Sequence, residues 1–218
     1  MKSPKSPYPP NDQVTPAETA VLLDLAAACL HLPGDWVEFG CYKGDTSVLL
    51  GRLLQQHCPL SPASANSARS ATTPAASAPA PRLWLYDSFA GLPEKSPQDL
   101  SGAGQHFQAG ALTVTKHEVT TKLRRAGLKN TIVKKAWFSD LTPADLPDQI
   151  AFAFLDGDLY DSIKTSLRLV APRLVPGARL VVHDYNNPEL PGAARAVDEF
   201  LRTHPRTLTV RHSLAIMV

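Results

Sequence analysis

Trp36-Val37-Glu38-Phe39-Gly40-Cys41-Tyr42-Lys43-Gly44 is the stretch on which the fold turns. Residues 35–39 are a short apolar run ending in a glycine turn, the pattern of a buried parallel strand. Glycines at such a point let the backbone come close to a ligand at the carboxyl edge of a sheet. The motif reads E-x-G-x-x-x-G. It is not the dinucleotide fingerprint G-x-G-x-x-G, because Tyr42 stands where the second glycine would be. Taken alone, the turn is as compatible with a purely structural glycine as with a ligand site.

Working outward, Thr15-Pro16-Ala17-Glu18 reads as a helix start, with a cap residue, proline in the first turn and an early acid. That helix is expected to run to about residue 32 and to stop at Pro33-Gly34. Helices are expected at 46–56, 114–126, 162–174 and 192–203, the fourth of the five closed by Val175-Pro176-Gly177. Strands are expected at 83–86, 131–135, 150–155, 178–182, 207–211 and 214–218, and a glycine-bearing loop at 90–112. Strands alternating with helices imply a parallel sheet with right-handed crossovers, and two strands in succession at the end imply an antiparallel hairpin at one edge. The fold class is therefore α/β and Rossmann-like, a seven-stranded, mostly parallel sheet with an antiparallel strand at its C-terminal edge.

With 218 residues, 44% of them hydrophobic and 19% charged, the chain fits one globular domain. Residues 1–16 are polar and proline-rich and read as a flexible tail, leaving 17–218 as the domain. Residues 58–82 are almost entirely Pro, Ala and Ser and read as a disordered surface insertion, since such a segment cannot bury enough surface to offset its ordering entropy. A net charge of +2 with mixed signs argues against a nucleic-acid partner. No run is long and apolar enough for a signal peptide or a membrane span, so the expected compartment is the cytoplasm, with no membrane partner. Cys29, Cys41 and Cys58 show no paired spacing, which suits a reducing compartment.

Acids gather at the ends of the expected strands. Asp87 ends the second strand, where doubly wound folds place the acceptor for two adjacent ribose hydroxyls; the alternative is a turn cap. The acid and glycines of the first turn suit the methionine end of S-adenosylmethionine better than a pyrophosphate. Asp156, Asp158 and Asp184 follow two further strands, and three converging carboxylates repel unless they share protons or bind a cation. Methyl transfer to an alcohol needs such help. A divalent metal lowers the pKa of the hydroxyl, and a nearby carboxylate takes its proton. The alternative is that Asp156 and Asp158 only cap the helix beyond them.

Val37 to Gly44, Tyr86-Asp87-Ser88-Phe89-Ala90-Gly91-Leu92-Pro93, Leu155-Asp156-Gly157-Asp158-Leu159-Tyr160 and His183-Asp184-Tyr185 together resemble the macrocin O-methyltransferase family of class I S-adenosylmethionine-dependent methyltransferases. The likeness runs in register from about Pro33 to the C-terminus, interrupted by 58–82. It implies an O-methyltransferase that uses S-adenosylmethionine and magnesium on a small-molecule hydroxyl, such as a sugar on a secondary metabolite. Glu38, Phe39, Gly40, Gly44, Asp87 and Ser88 would hold the cofactor, Asp158 would be the general base, and Asp156 and Asp184 would ligate the metal. His183 stands where the family has an acid. It either ligates, shifting preference from magnesium towards manganese, iron or zinc, or only hydrogen-bonds beside the site. A homologue that binds S-adenosylmethionine or a partner without catalysis is the second reading, and a homo-oligomer is left open.

Overall fold

In a computed structural model, residues 13–58 and 80–218 are described. Most of the expected tail and of the 58–82 insertion lies outside the described residues. The elements run α1 (Pro16–Ala27), β1 (Asp35–Phe39), α2 (Asp45–His57), β2 (Leu83–Asp87), α3 (Lys116–Arg125), β3 (Thr131–Lys135), β4 (Ile150–Leu155), α4 (Tyr160–Val170), β5 (Leu174–Val182), α5 (Pro191–Thr203), β6 (Leu208–Arg211) and β7 (Leu214–Met217).

The seven strands form one sheet in the order β3-β2-β1-β4-β5-β7-β6. β1 to β5 are parallel, and β7 runs antiparallel to both β5 and β6. Alternation along each strand sorts side chains onto two faces. Trp36, Leu85, Phe152, Phe154 and Val181 pack with α1, α2 and α3 through residues such as Leu22, Leu50 and Val119. Val37, Phe39, Tyr86, Leu155 and Val182 pack on the other face with Ile163, Leu167, Ala193 and Val197 of α4 and α5. Each face buries a continuous apolar layer, at roughly 25 cal/mol per Å² removed from water.

Three boundaries differ from the sequence reading. α1 ends at Ala27, because the chain then tightens into successive short-range bonds (Cys29 N–H to Ala26 O, Leu30 N–H to Ala27 O, Leu32 N–H to Cys29 O) that turn Leu30 and Leu32 onto the core. Pro176 and Gly177 do not close a helix. They lie inside β5, where the β4–β5 register shifts between Ile150↔Leu174 and Phe152↔Arg179, and both are exposed there. α4 begins at Tyr160, whose N–H donates to Asp99 Oδ1 at 2.7 Å, so the cap comes from the 90–112 loop and not from Asp156 or Asp158.

The register is what builds a site. Phe39 lies beside Tyr86 and Leu155, and Leu155 beside Val182. One residue further on, Gly40, Asp87, Asp156 and His183 therefore form a row along the carboxyl edge. Their N–H groups continue the ladder: Gly40 to Tyr86 O, Asp156 to Phe39 O, His183 to Leu155 O. The sheet order reverses between β1 and β4, and ligands of open α/β sheets bind outside the strand ends at such a point.

Candidate active site

A cavity of about 370 Å³ opens over this row, within the range of small-molecule sites. Gly40, Asp87, Ser88, Asp156, Asp158, His183 and Asp184 all line it. Gly40 has φ +85°, and a Cβ there would sit 1.8 Å from the Asp156 carbonyl oxygen, so only glycine lets the first and fourth strand ends meet. Non-glycine residues held at positive φ recur in the surrounding turns: Tyr42, Phe89, Asp158 and Asp184. Such backbone costs about 1–3 kcal/mol per residue and gathers where side chains must be aimed at a ligand.

Three of the residues expected to hold the cofactor do not line the cavity. Phe39 is wholly buried, stacked on Tyr86 with ring centroids 4.5 Å apart, because alternation sends it to the α4–α5 face. Glu38 points the other way, towards α2, and accepts a 2.5 Å hydrogen bond from Ser47 Oγ. Burial pushes its carboxyl up to about 8 in spite of that bond. Gly44 has φ +76° and sits at the N-cap of α2.

Asp87 braces the turns, as the alternative sequence reading has it, and also lines the cavity. Its Oδ2 accepts from the N–H groups of Cys41 and Tyr42, each at 3.0 Å, and its Oδ1 from Phe89 N–H at 2.8 Å. A carboxylate has about four acceptor directions, so this brace still leaves room for a hydroxyl. Ser88 closes its own turn, donating to Gly91 O at 3.0 Å and accepting from Ala90 N–H at 3.1 Å.

At the β4–β5 end, His183 Nδ1 is 3.0 Å from Asp156 Oδ1 and 3.1 Å from Asp184 Oδ2. Asn187 Nδ2 donates to the other oxygen of Asp184 at 2.8 Å. Burial by itself would lower the pKa of His183, but Asp156, Asp184 and Glu18 outweigh it and hold it well above the ordinary value. Burial, reinforced by Asp156 and Asp184, pushes Asp158 well up. Asp156, His183 and Asp184 each offer one donor atom within 4.8 Å of the others. Donors on an octahedral edge around a cation bound at 2.0–2.1 Å stand about 3 Å apart, the spacing of His183 Nδ1 from each of the two carboxylates, and two carboxylates with an imidazole suit a divalent metal.

The structure also brings in residues the sequence reading passed over. Glu18 of α1 faces His183 Nε2 at 3.6 Å. Tyr42, Trp137, Phe138, His106 and Phe107 line the cavity. Trp137 and Phe138 follow β3 at the same carboxyl edge, and that position was the available signal. His106 and Phe107 come from the irregular 90–112 loop, which packs on Leu159 and Leu190 as a small separate apolar cluster, and nothing in their spacing marks them.

The model of the macrocin O-methyltransferase (TylF) family matches residues 69–212. The 8-demethyl-8-(2,3-dimethoxy-alpha-L-rhamnosyl)-tetracenomycin-C 4'-O-methyltransferase of Streptomyces olivaceus is 31% identical over 159 residues, covering 71% of this chain and 54% of that protein. The demethyldecarbamoylnovobiocin O-methyltransferase of Streptomyces niveus is 29% identical over 175 residues, 78% of this chain and 59% of its own length. This chain thus spans a little over half the length of these relatives. Among solved structures, the O-methyltransferase NovP superposes with a TM-score of 0.73 at 22% identity, over 94% of this chain and 81% of that one. The calicheamicin methyltransferase CalS11 superposes with a TM-score of 0.71 at 20% identity, over 94% and 80%. The fold is that of class I Rossmann-like methyltransferases, and the chain belongs to the macrocin O-methyltransferase (TylF) family.

Proposed function

We propose that this chain is an S-adenosylmethionine-dependent O-methyltransferase acting on a hydroxyl of a small molecule, a sugar on a secondary metabolite being the acceptor class that its relatives' names suggest. The observation that carries the reading is the row of Gly40, Asp87, Asp156 and His183 under one cavity, with Asp158 and Asp184 beside it.

Each group has work in that reaction. Gly40 gives the cofactor close access to the backbone, and Asp87 accepts from one of its ribose hydroxyls. Ser88 keeps the turn behind Asp87 in shape. Glu38 stays out of the cavity and supports the first turn through Ser47. The acceptor oxygen attacks the methyl carbon, the carbon–sulfur bond breaks with its electron pair going to sulfur, and the hydroxyl proton passes to Asp158 once that carboxyl, whose pKa burial holds well up, has released its own proton to solvent. Asp156, His183 and Asp184 would hold a divalent cation, magnesium or, given the imidazole donor, manganese, which when bound acidifies and orients the hydroxyl.

The test is transfer of labelled methyl from S-adenosylmethionine to a panel of deoxysugar glycosides. Asp158→Asn is expected to lower kcat by about 10²–10⁴. Asp156→Ala is expected to lose activity that added metal does not restore. Unimpaired turnover in both variants sinks the mechanism. One observation favours the second reading, a homologue that binds S-adenosylmethionine without catalysis: His183 already balances the Asp156 and Asp184 carboxylates without a cation. Calorimetry with S-adenosylmethionine separates the two readings, since cofactor binding indifferent to metal, with no transfer to any acceptor, belongs to the second.

A further inference from the structure

Glu18 is the acid of the α1 capping box, a role that asks for nothing beyond its own helix end. α3 carries the same box, Thr115 with Glu118; there the acid is exposed and bonds to the Thr115 N–H and hydroxyl. Glu18 has the matching bonds, from Thr15 N–H at 2.9 Å and Thr15 Oγ at 2.7 Å to its Oε2. Unlike Glu118, it is only 5% exposed. Its Oε1 accepts from the backbone N–H of Ser213, 195 positions away, at 3.1 Å, and from the Ser213 hydroxyl as well. Both oxygens are thus fixed between the first helix and the turn joining β6 to β7.

So held, Oε2 stands 3.6 Å from Nε2 of His183. That nitrogen is fully buried and has no hydrogen-bond partner among the described residues. A buried polar atom of this kind calls for an explanation that a helix cap does not supply. Strand alternation provides the placement: His183 falls on the α1 side of the sheet, as Val181 does two residues before it.

We propose that Glu18 is a positioning residue for His183, receiving its Nε2–H and so turning the Nδ1 lone pair towards the cation shared with Asp156 and Asp184. This rests on the metal reading above. A neutral imidazole carries one N–H, and the partner of that N–H selects which nitrogen is left to ligate. Metal-bound histidines generally give their other N–H to a carboxylate or carbonyl, which fixes the ring and raises its basicity. Here Nδ1 faces two carboxylates and Nε2 the third. With the opposite tautomer the ring would aim an N–H at the metal position and a lone pair at a carboxylate.

The experiment is calorimetric titration of the full chain with Mn²⁺ alone, in the wild type, Glu18→Gln, His183→Asp and the double variant. Glu18→Gln is expected to weaken Mn²⁺ binding about tenfold to a hundredfold in the wild-type background. In the His183→Asp background the same change is expected to leave binding unchanged or to tighten it, because Glu18 then faces another carboxylate and only adds repulsion. A residue that merely holds the helix and hairpin together weakens binding equally in both backgrounds, and that result overturns the proposal. Nitrogen-15 imidazole spectra of the Zn²⁺-loaded wild type need no variant: a proton on Nε2 of His183 is expected, and a proton on Nδ1 overturns the assignment. If the wild type binds neither metal, the metal reading itself has failed and takes this assignment with it.

Discussion

Asp87 and Asp156 occupy equivalent places in the row at the carboxyl edge of the sheet, yet their carboxyl groups are held by different partners. Asp87 is held by three backbone N–H groups from two turns, all within 3.0 Å. Those donors are fixed dipoles that cannot leave. Asp156 is held by its neighbour's imidazole, which it shares with Asp184. A side-chain proton can be replaced by another cation, and a backbone dipole cannot. The β1–β2 end is thus a pre-shaped seat for a polar ligand, whereas the β4–β5 end is an exchangeable charge balance. In the function proposed above, this difference would separate binding from chemistry within one cavity.

The largest effect that tests this contrast concerns Glu38, which lies near the end of β1 and is turned away from the cavity towards α2. Its folded-state pKa of about 8 stands above its ordinary 4.5, through burial and against the Ser47 hydrogen bond. The folded protein therefore keeps a proton that the unfolded chain releases. That stability is fully present below about pH 4.5, falls as pH rises, and is gone above about 8. Chemical denaturation from pH 5 to 8 is expected to show a decline of a few kcal/mol in the wild type, since each pKa unit is worth about 1.4 kcal/mol. The upward shifts of Asp158 and His183 act with the same sign, so Glu38→Gln is expected to make the decline shallower without abolishing it. An unchanged slope in Glu38→Gln means that the carboxyl is not held neutral in its Ser47 pocket.

Asp87→Asn sharpens the division more directly. Hydrogen bonds to a charged group are worth about 1.5–3 kcal/mol each, so the affinity for S-adenosylmethionine measured by calorimetry is expected to fall roughly tenfold to a hundredfold. At saturating cofactor, kcat is expected to change little, the reverse of the pattern for Asp158→Asn. A fall in kcat with undiminished cofactor affinity would mean that the two ends do not divide the work in this way.

Much of this was legible in the sequence, for reasons that particular residues make plain. Strand ends with punctuating residues gave β1 and β4 their bounds, since a short, mostly apolar run flanked by Gly34 and Gly40, or a wholly apolar one stopped by Asp156, has few alternatives as structure. Asp156, Asp158 and Asp184 were grouped from sequence because they follow two strands at their carboxyl ends, His183 joined them through the family resemblance, and parallel register brings Asp156, His183 and Asp184 together. Phe39 and Glu38 were misplaced for a related reason: the motif marks the turn, but period-two alternation sends those two side chains to opposite faces of the sheet. Pro176 and Gly177 looked like a helix stop because punctuation does not reveal whether a strand absorbs it by a register shift. Glu18 was visible only as a helix-start acid, since its partner Ser213 lies at the far end of the chain.

The smallest predicted effect is also the best internal control, because it compares two copies of one local motif. Thr115→Ala removes the cap of an exposed helix end, where the Glu118 bonds are local and solvent competes for them. Its cost in denaturant unfolding is expected to be about 1 kcal/mol, the usual worth of an N-cap. Thr15→Ala removes the same hydroxyl from the same position in the box, but there it leaves the buried Glu18 Oε2, which faces His183, with the Thr15 N–H alone. The expected cost is that 1 kcal/mol plus an additional loss, since a buried hydrogen bond to a charged group is worth about 1.5–3 kcal/mol where solvent cannot replace it. The difference between the two variants, and not either value alone, measures how far tertiary structure has taken over a helix cap. Equal costs would mean that Glu18 is energetically no more than Glu118 in a drier place, and its bond to Ser213 would then be packing without consequence.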